Sequence, residues 1–248
     1  KFKLNSSTLL VFILTTGVFG IINTEMGVIG ILPLIAENFQ VTVPEAGWTV
    51  SIFALVVAIS APITPLLFSG INRKKVMILA VGLFTLSNVI SMMTTNFTVL
   101  LISRALPAFL HPVYVSMAFT VAAASVSKEK APKAVAKVFI GVSAGMVLGV
   151  PVTSYIASEV SYSMDMLFFT VVNALVLVAT ILFVPSMPVK EKLSYGTQLS
   201  VLKKKVVWYS ILTITLINGA LFGFFSYMSD YLKTITGVSY TVISTMLL

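Results

Sequence analysis

The chain has 248 residues, of which 58% are hydrophobic and only 10% charged; its mean hydropathy is +1.04, whereas a water-soluble domain is roughly one quarter charged. A soluble globular domain is excluded, and the composition is that of a polytopic membrane protein. The net charge of +8 calls for no nucleic-acid partner, because its basic residues are spread over short loops, where they determine topology.

Seven apolar runs reach the roughly 20 residues needed to cross a hydrocarbon core about 30 Å thick. They lie near 8–35, 46–68, 75–95, 97–126, 134–158, 164–184 and 206–229. An eighth starts near Val238 and stops at Leu248, a length of ~16 Å. The reading is all-α: a six-helix N-terminal half over 1–184, a linker over 185–205 whose prolines, glycine and charges suit a loop, and the truncated start of a second half over 206–248. The run after Lys1 and Lys3 is longer than a secretory h-region and contains Glu25, so it reads as an uncleaved span. Fourteen of the sixteen basic residues fall on one side: Lys1 and Lys3, Arg73 to Lys75, Lys128 to Lys137, and Lys190 to Lys205. The alternate loops carry Glu37, Glu45, Glu159, Asp165 and Asp230. By the positive-inside rule the basic side is cytoplasmic, with the N-terminus inside a cell membrane.

Glu25 in span one and Arg104 in span four are read as the formal charges within the apolar runs, each costing about 3 kcal/mol on insertion scales. Their depths differ by roughly 5 Å at helical rise, so they could pair directly or through water. Arg104, Ala108, His111 and Val115 recur at helical spacing on one face, and Pro107 and Pro112 predict a kink. Two readings stay open. One is a fixed ion pair joining spans one and four. The other makes Glu25 a proton carrier, since burial favours the neutral form of any carboxyl and a neighbouring guanidinium the charged form. Gly141, Gly145 and Gly149 in span five form a small-residue stripe suited to close helix packing. An offset of 193 sets Glu37 against Asp230, Ala46 against Ser239 and Glu25 against Asn218, a weak repeat of the kind from which transporter halves are built. Span seven adds Phe222, Phe224, Phe225 and Tyr227 beside Asn218. Without cysteine, and with His111 as the lone histidine, neither a metal site nor a cofactor is expected. No HExxH, GxSxG or paired intramembrane acids argue for an enzyme.

The segment Asn23-Thr24-Glu25-Met26, followed by Gly30-Ile31-Leu32-Pro33, resembles the T-E-x(4)-G-L-L-P signature in the first helix of major facilitator superfamily efflux permeases. The likeness is strongest to the arabinose-efflux-permease-like branch of the drug:proton antiporters. Ala61-Pro62, Asn96-Phe97, Arg104 with His111, and Gly149-Val150-Pro151 continue the pattern in order. The resemblance implies the major facilitator fold and proton-coupled efflux of a small molecule (a drug, sugar or nucleoside-like compound) by alternating access. The partners it implies are substrate, protons and the lipid bilayer, with a monomer when complete. It implies Glu25 with Arg104 as the coupling pair, and Asn23, His111, Tyr114, Asn218 and Phe222 at the cavity. Arg73, Lys74, Gly141, Gly145, Gly149 and Pro151 become conformational motifs, and the resemblance implies that the glycine stripe packs against a helix of the opposite half. The chain departs from the family at Ser69, where the loop motif has an acid, and at Val150, which separates Gly149 from Pro151. The alternative is an inactive or scaffold fragment of such a transporter.

Overall fold

The computed structural model describes residues 6–189, 200, 203–239 and 242–243. Most of the linker, the two N-terminal lysines and most of the eighth run therefore lie outside the described residues.

Each of the first seven apolar runs is helical over its described residues, as expected where lipid offers the backbone no hydrogen-bond partner. Span one has three pieces: α1 (Ser6–Met26), a 3₁₀ turn (Gly27–Ile31) and α2 (Leu32–Phe39). Pro33 sits in the first turn of α2, where its missing N–H costs nothing. A capping box between Thr42 and Glu45 starts α3 (Val43–Ala46), followed by α4 (Trp48–Ser60) and, beyond a break at Ala61-Pro62-Ile63, α5 (Thr64–Leu67). Asn72 caps α6 (Arg73–Met93) and Asn96 caps α7 (Phe97–Ala108). Span four then breaks at Phe109 and Leu110 before α8 (His111–Ala124), the kink expected between Pro107 and Pro112. Span five is one helix, α9 (Ala131–Glu159), which runs through Pro151, and Ser161 caps α10 (Tyr162–Phe183). Among the described residues six spans are long and apolar enough to cross a membrane. The seventh run is the 32-residue helix α11 (Lys205–Thr236), ended by Gly237 at φ +68°.

Span one is the most buried of the six. α9, α10 and α8 pack around α1, and α6 packs along α10. The glycine stripe explains how α9 approaches so closely. A Cβ on Gly141 would lie 2.2 Å from the Thr15 carbonyl oxygen, one on Gly145 2.9 Å from the Ile22 Cβ, and one on Gly149 3.1 Å from Asn23 Oδ1. Span one returns the favour, since a Cβ on Gly30 would meet Ser154 Oγ and Val150. The stripe is thus a seam between spans five and one of the same bundle. This corrects the expectation of a seam against the opposite half: the innermost helix offers the carbonyls and small residues that a groove of glycines accepts.

The loop before α6 also closes on its own half. Asn72 Nδ2 donates to Ser186 Oγ at 2.7 Å, Met187 N–H donates to Asn72 Oδ1 at 3.3 Å, and Lys74 Nζ donates to the Ile181 carbonyl at 2.8 Å. Arg73 contributes its backbone N–H to the Met187 carbonyl at 3.1 Å. Arg73 and Asn72 therefore tether the segment that follows α10, and Lys74 holds the last turn of α10 itself.

Candidate functional site

At Gly27 span one changes from i+4 to i+3 backbone bonding, and such a change of register leaves a carbonyl without its intrahelical partner. Arg104 directs its donors here. Its Nη1 donates to the Thr24 carbonyl at 2.6 Å, Nη2 to the Glu25 carbonyl at 3.2 Å, and Nε to the Thr49 carbonyl of span two at 3.3 Å. One guanidinium, 4% exposed, therefore fastens spans one, two and four where span one is irregular.

The Glu25 side chain turns elsewhere. Its Oε2 lies 3.0 Å from His111 Nε2, an ion-pair distance when the imidazole is protonated. The expected contact between the Glu25 carboxylate and the Arg104 guanidinium is thus corrected: the guanidinium is taken up by main-chain carbonyls, and the carboxylate faces the first residue of α8. Glu25 and His111 side chains are 18% and 12% exposed, but both ring nitrogens of His111 are buried and outside hydrogen-bond geometry among the described residues, so within the pair it is the carboxylate that keeps access to the surface. Phe53 links them. The Arg104 guanidinium carbon stands 5.1 Å from its ring centroid, a cation–π distance, and the His111 ring meets it edge-on at 5.7 Å.

A buried polar layer backs the site. Thr24 Oγ1 accepts from Asn173 Nδ2 at 2.9 Å and Asn88 Nδ2 at 3.4 Å, joining spans one, three and six. Ser91 and Ser103 hydroxyls are 2.7 Å apart, and Tyr162 donates to the Ser91 carbonyl at 3.1 Å. The Thr153 hydroxyl lies 2.7 Å from the Gly27 carbonyl, serving the 3₁₀ turn from the α9 side.

The structure separates several sequence candidates from the Glu25–His111 pair. Tyr114 is fully buried, its ring packed so closely on α1 that a Cβ at Gly17 would overlap its hydroxyl; it fills an interhelical space. Asn23 is 1% exposed and faces the glycine seam. Asn218 is exposed on α11, its amide donating to the Ile214 carbonyl of its own helix. The Phe222 side chain lies outside the described residues. Asp165, read from sequence as an outer-loop acid, is wholly buried in the first turn of α10, with neither carboxylate oxygen hydrogen-bonded. The apolar residues that resume at Met164 were the available signal for that burial. Asn88 and Asn173 were also legible as amides inside apolar runs, whereas nothing in the sequence distinguishes Phe53 from other lipid-span phenylalanines.

A broken span with charged and amide groups gathered at the break is a transporter-like arrangement. Residues 9–248 match the model of the Major Facilitator Superfamily. The chain belongs to that superfamily. It is 31% identical over 234 residues to the inner membrane transport protein YdhP of Escherichia coli K12, covering 94% of this chain and 60% of that protein. It is 27% identical over 231 residues to the putative transporter AraJ of the same organism, covering 93% and 59%. The chain thus spans about three fifths of the length of these curated relatives. Among solved structures, the bacterial homologue of the human lysosomal transporter Spinster, inward-facing and unoccupied, superposes with a TM-score of 0.78 at 16% identity, covering 98% of this chain and 58% of that one. The human organic anion transporter MFSD10 gives 0.61 at 17% identity, covering 75% and 50%. These structural likenesses carry the superfamily fold. The chain is accordingly a multi-pass membrane protein of a transporter family and not of an enzyme family.

Proposed function

We propose that the chain is the N-terminal half, with the start of the C-terminal half, of a secondary transporter that exports a small molecule in exchange for protons by alternating access. The N-terminus and basic loops face the cytoplasm, and the membrane is a bacterial inner or plasma membrane. The observation that carries this reading is the Glu25 carboxylate, 3.0 Å from His111 Nε2 and still accessible, beside a helix break that Arg104 fixes in place. A carboxyl and an imidazole at contact can exchange a proton as the pair is wetted or dried. A rigid break beside them holds the carboxyl at constant depth while the two halves rock. Protons and substrate would then compete for Glu25 and His111, with the complete transporter acting as a monomer.

The test uses the full-length protein in inside-out vesicles with a panel of drugs, sugars and nucleosides. Export of at least one compound is expected to depend on the proton gradient, and Glu25→Gln to remove that dependence while substrate-driven exchange persists. Undiminished gradient-driven export by the Gln variant would eliminate Glu25 from coupling. Placing the linker residues 185–205 on the cytoplasmic side, between two halves, belongs to the same proposal, and external proteolysis that cleaves there in intact cells would overturn it.

A further inference from the structure

Between the first turns of α1 and α9 lies a cavity of about 400 Å³, lined by Ser7, Thr8, Lys130, Lys133 and Lys137 over an apolar floor that includes Val11. Three lysines and two hydroxyl residues are among its lining, and no acid is. None of the three lysines is within ion-pair distance of a carboxylate among the described residues. Topology alone accounts for basic residues in the loop, such as Lys128. Lys133 and Lys137 carry the same basic cluster into α9, three and seven residues beyond Lys130 on the same helical face. Like charges at these spacings repel, and the N-terminal end of a helix adds partial positive charge. The sequence thus concentrates cations where each raises the cost of the others, around a space that an anion would fill.

We infer that this cavity binds the phosphate of an anionic phospholipid. Lysine ammonium and hydroxyl donors suit phosphate oxygens. Both helices begin here, which on the proposed topology puts the cavity at headgroup height, and Val11, Val126 and Ala134 add apolar lining beside the lysines. That the leaflet is the cytoplasmic one rests on the orientation proposed above. A basic pocket between helices on that side matches the negative surface potential of the membrane. The site is separate from the Glu25–His111 pair.

The test is native mass spectrometry and thermal unfolding of the full-length protein in detergent, where orientation plays no part, so failure of the topology and failure of the site are distinguishable. Phosphatidylglycerol, phosphatidylcholine and inorganic phosphate are the probes. Phosphatidylglycerol is expected to be retained and to stabilise the protein, and phosphatidylcholine to do neither. The Lys130→Gln, Lys133→Gln, Lys137→Gln variant is expected to bind phosphatidylglycerol about a hundredfold more weakly, at roughly a fivefold loss per lysine. The corresponding arginine variant, which keeps the charge, should retain binding and guards against misfolding. A Lys203→Gln, Lys204→Gln, Lys205→Gln variant removes equal charge elsewhere and should bind like the parent. Equal loss in both glutamine variants, or none in either, would overturn the site. Inorganic phosphate that stabilises equally well and displaces the lipid would overturn the lipid assignment in favour of a soluble phosphate.

Discussion

Arg104 binds the main-chain carbonyl of Glu25, at 3.2 Å, while the carboxylate of the same residue faces His111. The distinction separates two roles that an ion pair would merge. Stabilising the break in span one falls to the guanidinium, and the carboxylate is left available for exchange. Arg104→Gln is expected to cost about 2–4 kcal/mol, because buried carbonyls lose charged donors. Glu25→Gln leaves those carbonyls bonded and should cost less than about 1 kcal/mol. Thermal unfolding of both variants checks the order. A larger loss from Glu25→Gln would mean that the carboxylate is the structural partner after all.

The Glu25–His111 contact predicts coupling between two residues that the break at Phe109 and Leu110 brings to one place. Glu25→Gln and His111→Gln, made singly and together, are expected to be non-additive by about 0.5–3 kcal/mol, as for residues in direct contact. Unfolding or transport rates serve equally as the readout. Strict additivity would dissolve the pair. Phe53→Leu should reduce this coupling as well, because its ring contacts both the His111 imidazole and the Arg104 guanidinium.

Gly141 and Gly82 provide a matched comparison inside the bundle. A Cβ at Gly141 would press on the Thr15 backbone at 2.2 Å, and main chain cannot swing aside as a side chain can. At Gly82 the nearest atom is Leu177 Cδ1 at 3.9 Å. Gly141→Ala should therefore destabilise by about 1–3 kcal/mol or more, as overpacking does. Gly82→Ala should be neutral or slightly stabilising, since alanine favours the helix by roughly 1 kcal/mol. Yield and unfolding temperature of the two variants decide it. Similar behaviour would mean that spans one and five are not in close contact.

The all-helical architecture and six of its spans could be read from apolar length, because lipid leaves the backbone few alternatives to the helix. The kink of span four was legible in Pro107 and Pro112 for the same local reason. Which residues meet was not. Glu25 and Arg104 sit at matching depths, and a one-dimensional reading pairs the opposite charges. The competitor that wins is the main chain of span one, whose acceptors appear only when its helix breaks at Gly27. The glycine stripe announced a close approach without naming the helix approached. Asp165 was misread because it lies one turn inside a helix whose cap, Ser161, cannot be located to a single residue by hydropathy.

Asp165 allows a last prediction, on partners as against burial. It is as fully buried as Asn173, yet Asn173 Nδ2 lies within hydrogen-bonding distance of Thr24 Oγ1 and the Phe169 carbonyl, both at 2.9 Å, while neither Asp165 oxygen has a donor among the described residues. Losing this buried amide removes its hydrogen bonds to Thr24 and the Phe169 carbonyl, at about 1–3 kcal/mol. Exchanging an unpartnered carboxyl for an amide of nearly the same shape strands nothing. Asn173→Ala is therefore expected to lower the unfolding temperature by several degrees, and Asp165→Asn to change it by no more than roughly 2–4 °C, the equivalent of about 1 kcal/mol in a domain of this size. A drop at Asp165→Asn as large as at Asn173→Ala would reveal that the carboxylate is ionised and held by donors, and would make it a second charged site in the membrane beside Glu25.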